Sequence, residues 1–377
     1  MWALRLRAYL ASAVVFALFF GLFYALLYLL LPSSALAPLP GLRGTPSFTW
    51  VSWFTIADLA LVFAVVFAQY WFAPRIVGWS MHVRYVSRED EPRLHGIIGR
   101  LAQEAGIPYP KVGISEVPEP NAFAFGRWAT DGRVCVTRPL LELLDDEEMT
   151  AVLAHEVSHL RHKDMIFMTL LQIVPLIAYV IARTLTRVRG GGKGAGQVVL
   201  VGLFAFLVYL ITTLMVLYVS RLREVYADKG SIELTGGKAA LASALLRITH
   251  STATFPKETI KEVGGARPLL VADPYRATRD AASYPWAQVA PGDKLTEAGL
   301  QQYDREVKRI GWHLRAAEIL STHPVLEHRL KLLAEMQVGG ELPLARPAFR
   351  ERAARPNYAY TIPTPKPAPS PERAPLS

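Results

Sequence analysis

The hydrophobic pattern divides the chain into long uniform runs and mixed stretches. Tyr9 to Leu31 are apolar without a break, with Arg5 and Arg7 ahead of them. At a helical rise of about 1.5 Å per residue, such a run spans a bilayer core. It is longer than a typical signal-peptide core, so a retained anchor is favoured, although Ala35-Leu36-Ala37 resembles a cleavage site. Trp53 to Phe72 form a second run, with Trp50, Trp53, Tyr70 and Trp71 at its ends as interfacial aromatics. Asp58 lies inside it, close enough to the Trp53 end for an interfacial position. Met165 to Ala182 and Val198 to Val219 are the third and fourth runs, flanking Arg183, Arg187, Arg189, Gly190-Gly191-Gly192 and Lys193. The pattern predicts four transmembrane-like helices.

The mixed stretches read as a small α+β domain in two parts. Residues 89 to 106 show helical spacing through Leu94, Ile97, Ile98 and Leu101, and stop at Gly106. Short β-like runs follow at Lys111 to Ile114, Ala122 to Phe125 and Arg133 to Thr137. A further helix is predicted where Asp145-Asp146-Glu147-Glu148 supply an acidic first turn and Met149, Val152, Leu153 and Val157 an apolar stripe. Residues 252 to 296 are irregular, and beyond about residue 341 the chain is Pro-rich and expected to be extended. The predicted organisation is two membrane helices and a loop (1–74), the first part of the α+β domain (75–164), a helical hairpin (165–219), the second part of that domain (220–340) and a tail (341–377).

Composition agrees with membrane segments: 51% of the 377 residues are hydrophobic and only 19% charged. The net charge of +9 is assigned to basic residues flanking membrane helices; no nucleic-acid motif is present and no nucleic-acid partner is expected. The single cysteine, Cys135, excludes an intramolecular disulfide and a Cys-rich metal site. It sits between Val134 and Val136 and reads as a small buried hydrophobe.

The candidate chemistry lies at His155-Glu156-Val157-Ser158-His159, an H-E-x-x-H pattern. Residues four apart share one helical face, so His155 and His159 can offer nitrogens to one metal ion, with Glu156 beside it as a proton acceptor. A catalytic zinc site takes three protein ligands, so a third must come from elsewhere. Glu224 and Asp228 follow the fourth apolar run four apart; Glu224 can ligate, and Asp228 can accept a hydrogen bond from a ligand histidine. The plain alternative is a surface pair of acids. His162 falls on the same face as His155 and His159. The glycine turn of H-E-x-x-H-x-x-G-x-x-H is missing, so a metzincin is excluded and His162 is given no metal role.

These residues carry a resemblance. H-E-V-S-H-L-R-H-K-D, then M-I-F-M-T-L-L-Q, then R-L-R-E-V-Y-A-D resemble the HtpX family of membrane-bound zinc metalloproteases, gluzincins grouped with the Ste24-type CAAX prenyl protease. Asn121-Ala122-Phe123-Ala124-Phe125-Gly126 resembles the family's N-A-F-A-x-G edge strand, and Ser321-Thr322-His323-Pro324 its S-T-H-P-P motif. The resemblance implies one zinc ion on His155, His159 and Glu224, with Glu156 as general base. It implies that Asn121, Ala122, Phe123 and Ala124 hold substrate as an added strand, that His323 stabilises the oxyanion, and that Arg329 supports the His323 loop, with Asp228 behind the ligands. It further implies a gluzincin-type domain acting on misfolded or unassembled membrane proteins, in protein quality control. His162 stands where the family usually has Asn, and Val325 replaces the second Pro. The plain reading of His323 is a helix start, with Ser321 or Thr322 capping and Glu327 completing a capping box.

Two other functions compete: a CAAX-type processing protease, which four spans argue against, and a catalytically silent membrane scaffold, which an intact base and three ligands argue against. The cluster Arg75, Arg84, Arg88 and Arg93, with Arg5 and Arg7, places the N-terminus and catalytic domain in the cytoplasm of a multi-pass plasma-membrane protein. The basic loop between the third and fourth runs runs against that rule if it lies outside.

Overall fold

The computed structural model describes residues 70–186, 195–254, 294–306 and 318–336, together with residue 277 and scattered residues from 10 to 68. Asp58, the 32–49 loop, residues 187–194, most of 255–293 and the tail lie outside the described residues, as does most of the first two apolar runs.

The short alternating runs form a four-stranded sheet of order β1-β2-β4-β3. β1 (Val83–Tyr85) pairs antiparallel with β2 (Lys111–Ser115), β2 runs parallel to β4 (Arg133–Thr137), and β3 (Ala122–Phe125) pairs antiparallel with β4 at the edge. Helix α1 (Pro92–Ala105) buries Leu94, Ile98 and Leu101 of the expected stripe, with Ile97 half-buried, and Ala102 and Ala105 besides. It ends at Gly106, whose φ of +67° is the left-handed cap a glycine adopts without strain. A short helix, α2 (Arg138–Leu143), follows β4.

Helix α3 (Asp146–Arg161) is the centre of the domain. Asp145 accepts from the Glu147 and Glu148 amides (2.9 and 3.1 Å), and Glu148 accepts from the Asp145 amide (3.2 Å), closing a capping box. From Ala151 to Leu160 every residue is buried, so the helix is enclosed rather than amphipathic. Its apolar positions join one core with the sheet, α1, α6 (Ala239–Ala253), α7 (Glu297–Glu306) and α8 (Leu326–Glu335).

The third and fourth apolar runs become α4 (Asp164–Leu185) and α5 (Ala195–Thr235), both long and apolar enough to cross a membrane. Ala11 and Val15, from the first run, pack with Met168, Leu171, Val174, Val216 and Val219 of this hairpin. Two findings differ from the sequence pattern. β1 carries no clear strand signal; three residues become a strand because β2 pairs with them. The fourth run ends at Val219, but its helix continues to Thr235. Leu222, Ala227 and Ile232 are buried, and Gly230 meets α3, so tertiary packing carries the helix past the apolar stretch.

Candidate metal centre and active site

Two helices bring the site together. The Cβ that any other residue would add at Gly230 would lie 2.0 Å from Ser158 Oγ and 2.8 Å from its Cβ. Glycine here lets α5 lie directly on α3, and Ser231 Oγ donates to the Ala151 carbonyl at 2.7 Å across the same crossing. Glu224 then faces the histidine turn of α3.

His155 Nε2 and His159 Nε2 stand 3.2 Å apart, 3.6 and 3.5 Å from the two carboxylate oxygens of Glu224. Two atoms ligating one tetrahedral zinc at about 2.0–2.1 Å are separated by about 3.3 Å, so the donor set fits such an ion. All three residues are buried. The far nitrogens are turned to acids: His155 Nδ1 lies 2.9 Å from Asp228 Oδ1, and His159 Nδ1 lies 2.6 Å from Asp164 Oδ2. That fixes the tautomer and leaves each Nε2 lone pair facing the cluster. Burial works against a charge on His155, but Asp228 and Glu224 outweigh it and raise the imidazolium pKa to about 9.

Glu156 is buried beside the cluster. Burial pushes its carboxyl above the usual range, opposed by His155 and His159; the Ala124 amide also donates to it from β3. β3 is at the sheet edge as expected, but its side chains are not exposed: Ala122, Phe123 and Phe125 are buried and Ala124 half-buried. Asn121 is buried too, its amide donating to Thr137 Oγ1 at 2.8 Å.

His323 comes from a distant turn, yet its Nδ1 lies 3.1 Å from Glu224 Oε2. No capping box forms there: α8 begins at Leu326, with Val325 at the cap and no side-chain cap bond. Instead Glu318 Oε1 accepts from the Val325 amide (2.8 Å) and from His328 Nδ1 (2.9 Å). Arg221 of α5 donates to the carbonyls of Glu318 (2.6 Å) and Ser321 (2.8 Å). Arg329 was expected to support the His323 loop; its guanidinium instead forks onto Asp228, with Nε donating to Oδ2 at 3.1 Å. The turn is held by Arg221 and Glu318.

Sequence reasoning missed Asp164, Arg221, Glu318 and Gly230. Asp164 had a signal, five positions after His159. It reaches that ring because Lys163 adopts the left-handed conformation (φ +56°) and turns α4 back beneath α3. Arg223 flanks the same carboxylate at 3.1 Å. Cys135 is fully buried, and burial pushes its thiol up to about 12. That is an inert core sulfur.

An H-E-x-x-H helix with a carboxylate from a second helix defines a metallopeptidase of the gluzincin type. The chain belongs to peptidase family M48, whose model matches residues 88–337. A protease HtpX homolog from Methanothermobacter thermautotrophicus is 47% identical over 247 residues, covering 66% of this chain and 86% of that protein. The homolog from Aeropyrum pernix is 34% identical over 320 residues, covering 81% and 92%. The crystal structure of S. mikatae Ste24p aligns with 88% of this chain and 67% of its own, at 16% identity and a TM-score of 0.40. The protein is a membrane metalloprotease of the HtpX kind, acting on polypeptides.

Proposed function

We propose that His155, His159 and Glu224 bind one zinc ion, and that the protein is a zinc endopeptidase of membrane protein quality control. The spacing of the three donor groups, 3.2 to 3.6 Å within a buried cluster, carries this reading. Bound zinc would supply a Lewis acid that polarises the scissile carbonyl and acidifies water.

The chain's own residues do the rest. Glu156 takes the proton from the attacking water and passes it to the leaving amine. Burial raises its carboxyl above the usual range, opposed first by His155 and His159. His323 donates to the carbonyl oxygen as charge builds there. Asp228, gripped by Arg329, and Asp164 hold the two imidazoles in register. The outer edge of β3, from Asn121 to Ala124, pairs with an extended substrate and lays its peptide bond beside Glu156.

The domain is seated by four helices, of which α4 and α5 are described, with the catalytic part on the cytoplasmic side of the plasma membrane. Its substrates are misfolded or unassembled membrane proteins. The test is cleavage of casein by purified zinc-loaded protein and by Glu156→Gln. Cleavage lost in the variant with zinc retained supports the reading; equal cleavage by both refutes it.

A further inference from the structure

The helical segment 70–80 and the turn between β3 and β4 form a surface that the chemistry above does not use. Tyr70 Oη donates to the Arg127 carbonyl at 2.9 Å. The Arg127 guanidinium lies 4.8 Å from the ring centroids of both Trp71 and Trp128, and Asp131 holds it at 2.8 Å. Despite this packing, Trp71 is 42% and Trp128 39% exposed, with Phe72 and Ile76 exposed beside them. Trp79, at 82%, is almost bare. Arg75 stands over the Phe72 ring. An exposed patch of this kind marks an interaction site rather than ordinary soluble surface.

Its position says what covers it. Val77 and Met81, at the far end of the segment, pack with Phe123 and Phe125 of β3 and with Met165. Met165 is the second residue of α4, where the apolar hairpin begins. The patch, the end of the substrate strand and the start of the hairpin therefore meet at one level. Indoles with half-exposed rings beside arginine are the side chains that settle in the headgroup layer, apolar body inward and polar tip in water.

We infer that Trp71, Trp79, Arg127 and Trp128 form a lip docked in the lipid headgroup layer, which fixes one end of the substrate groove at the membrane surface. The second half of this inference rests on β3 being the substrate strand. β3 ends at Phe125, two residues before Arg127. At about 3.3 Å per residue, a peptide paired with β3 reaches the lip within about 10 Å of leaving the strand. The substrate class that follows is the juxtamembrane segment of a membrane-anchored polypeptide.

The docking half is read without any proteolysis. Thr130 is exposed in the turn and accepts a Thr130→Cys nitroxide label, while Cys135 is fully buried and escapes it. The full chain is placed in phosphatidylcholine/phosphatidylglycerol vesicles, and collisions of the label with oxygen and with an aqueous nickel chelate are compared. A headgroup-depth ratio is expected. A ratio as watery as that of a Glu89→Cys label in an exposed loop would overturn the lip. The substrate half compares one peptide with and without a membrane anchor a few residues from the cleaved bond. Trp128→Ser, and independently the bare Trp79→Ser, should lower kcat/KM for the anchored peptide by about tenfold, the scale of one lost interfacial contact, and leave the free peptide unchanged. An equal fall for both peptides, or none for either, would overturn it. Failure of the zinc-protease reading would abolish both cleavages yet leave the label depth as it is.

Discussion

At the scale of single residues, the proposed roles separate the groups that would hold a metal from the group that would move protons. Glu156 touches no ligand in the way Asp228 and Asp164 do, so Glu156→Gln should keep stoichiometric zinc and lose nearly all turnover. Metal analysis showing zinc lost from that variant would place Glu156 among the ligands instead. Asp228 and Asp164 each face the far nitrogen of one histidine, at 2.9 and 2.6 Å. Replacing either with alanine should weaken zinc affinity by about 10–100-fold while the fold persists. Unchanged affinity in a chelator competition would leave these acids with a purely structural part. The first of the pair was legible in the E-x-x-x-D spacing. The second was signalled only by its place five positions after His159; the left-handed turn at Lys163 that folds it back is announced by no local pattern.

At the scale of elements, the helices and strands with strong local signals were legible and their long-range couplings were not. The acidic first turn and apolar stripe located α3, and β3 and β4 fell where alternation placed them. The turn bearing His323 is different. Arg221 reaches carbonyls about a hundred positions away, and that pairing exists only once α5 and the turn have met. Arg221 therefore holds the turn that carries His323. His323→Ala should lower kcat by about 10²–10³-fold, the loss of one oxyanion donor. Arg221→Ala should lower kcat with zinc content kept, and should add nothing in the His323→Ala background, since residues acting as a unit are not additive. Full additivity in that double-mutant cycle would mean that Arg221 acts elsewhere. The α3–α5 crossing makes a second demand at this scale. Gly230→Ala puts a methyl against Ser158, a clash of the overpacking kind that costs about 1–3 kcal/mol. Thermal melts should show that loss together with weakened zinc binding, and Ser158→Gly should restore the binding. A Gly230→Ala protein with ordinary affinity would show that α5 has room to shift.

At the scale of the whole molecule, one helix joins membrane to chemistry. α5 has 41 residues, about 60 Å at helical rise, roughly twice the apolar thickness of a bilayer. The excess carries Glu224, Asp228 and Gly230 out of the apolar stretch as a helical continuation, which is why the proposed third ligand needs no loop of its own. The ion would then tie α5 to α3, and α3 is the centre of the core that also holds the sheet, α1, α6 and α8. Zinc binding should accordingly stabilise the entire domain rather than the site alone. With free zinc at about 1,000 times its dissociation constant, the folded state gains about 4.1 kcal/mol over the stripped protein. Chelation should lower Tm by several degrees, speed proteolysis of the catalytic part, and be reversed by zinc. Glu224→Ala should melt at the chelated temperature and be indifferent to chelator. A wild-type Tm unmoved by chelation, in protein shown to have lost its zinc, would mean that the helix crossing stands without the ion and that α3 and α5 are held by their own packing and hydrogen bonds.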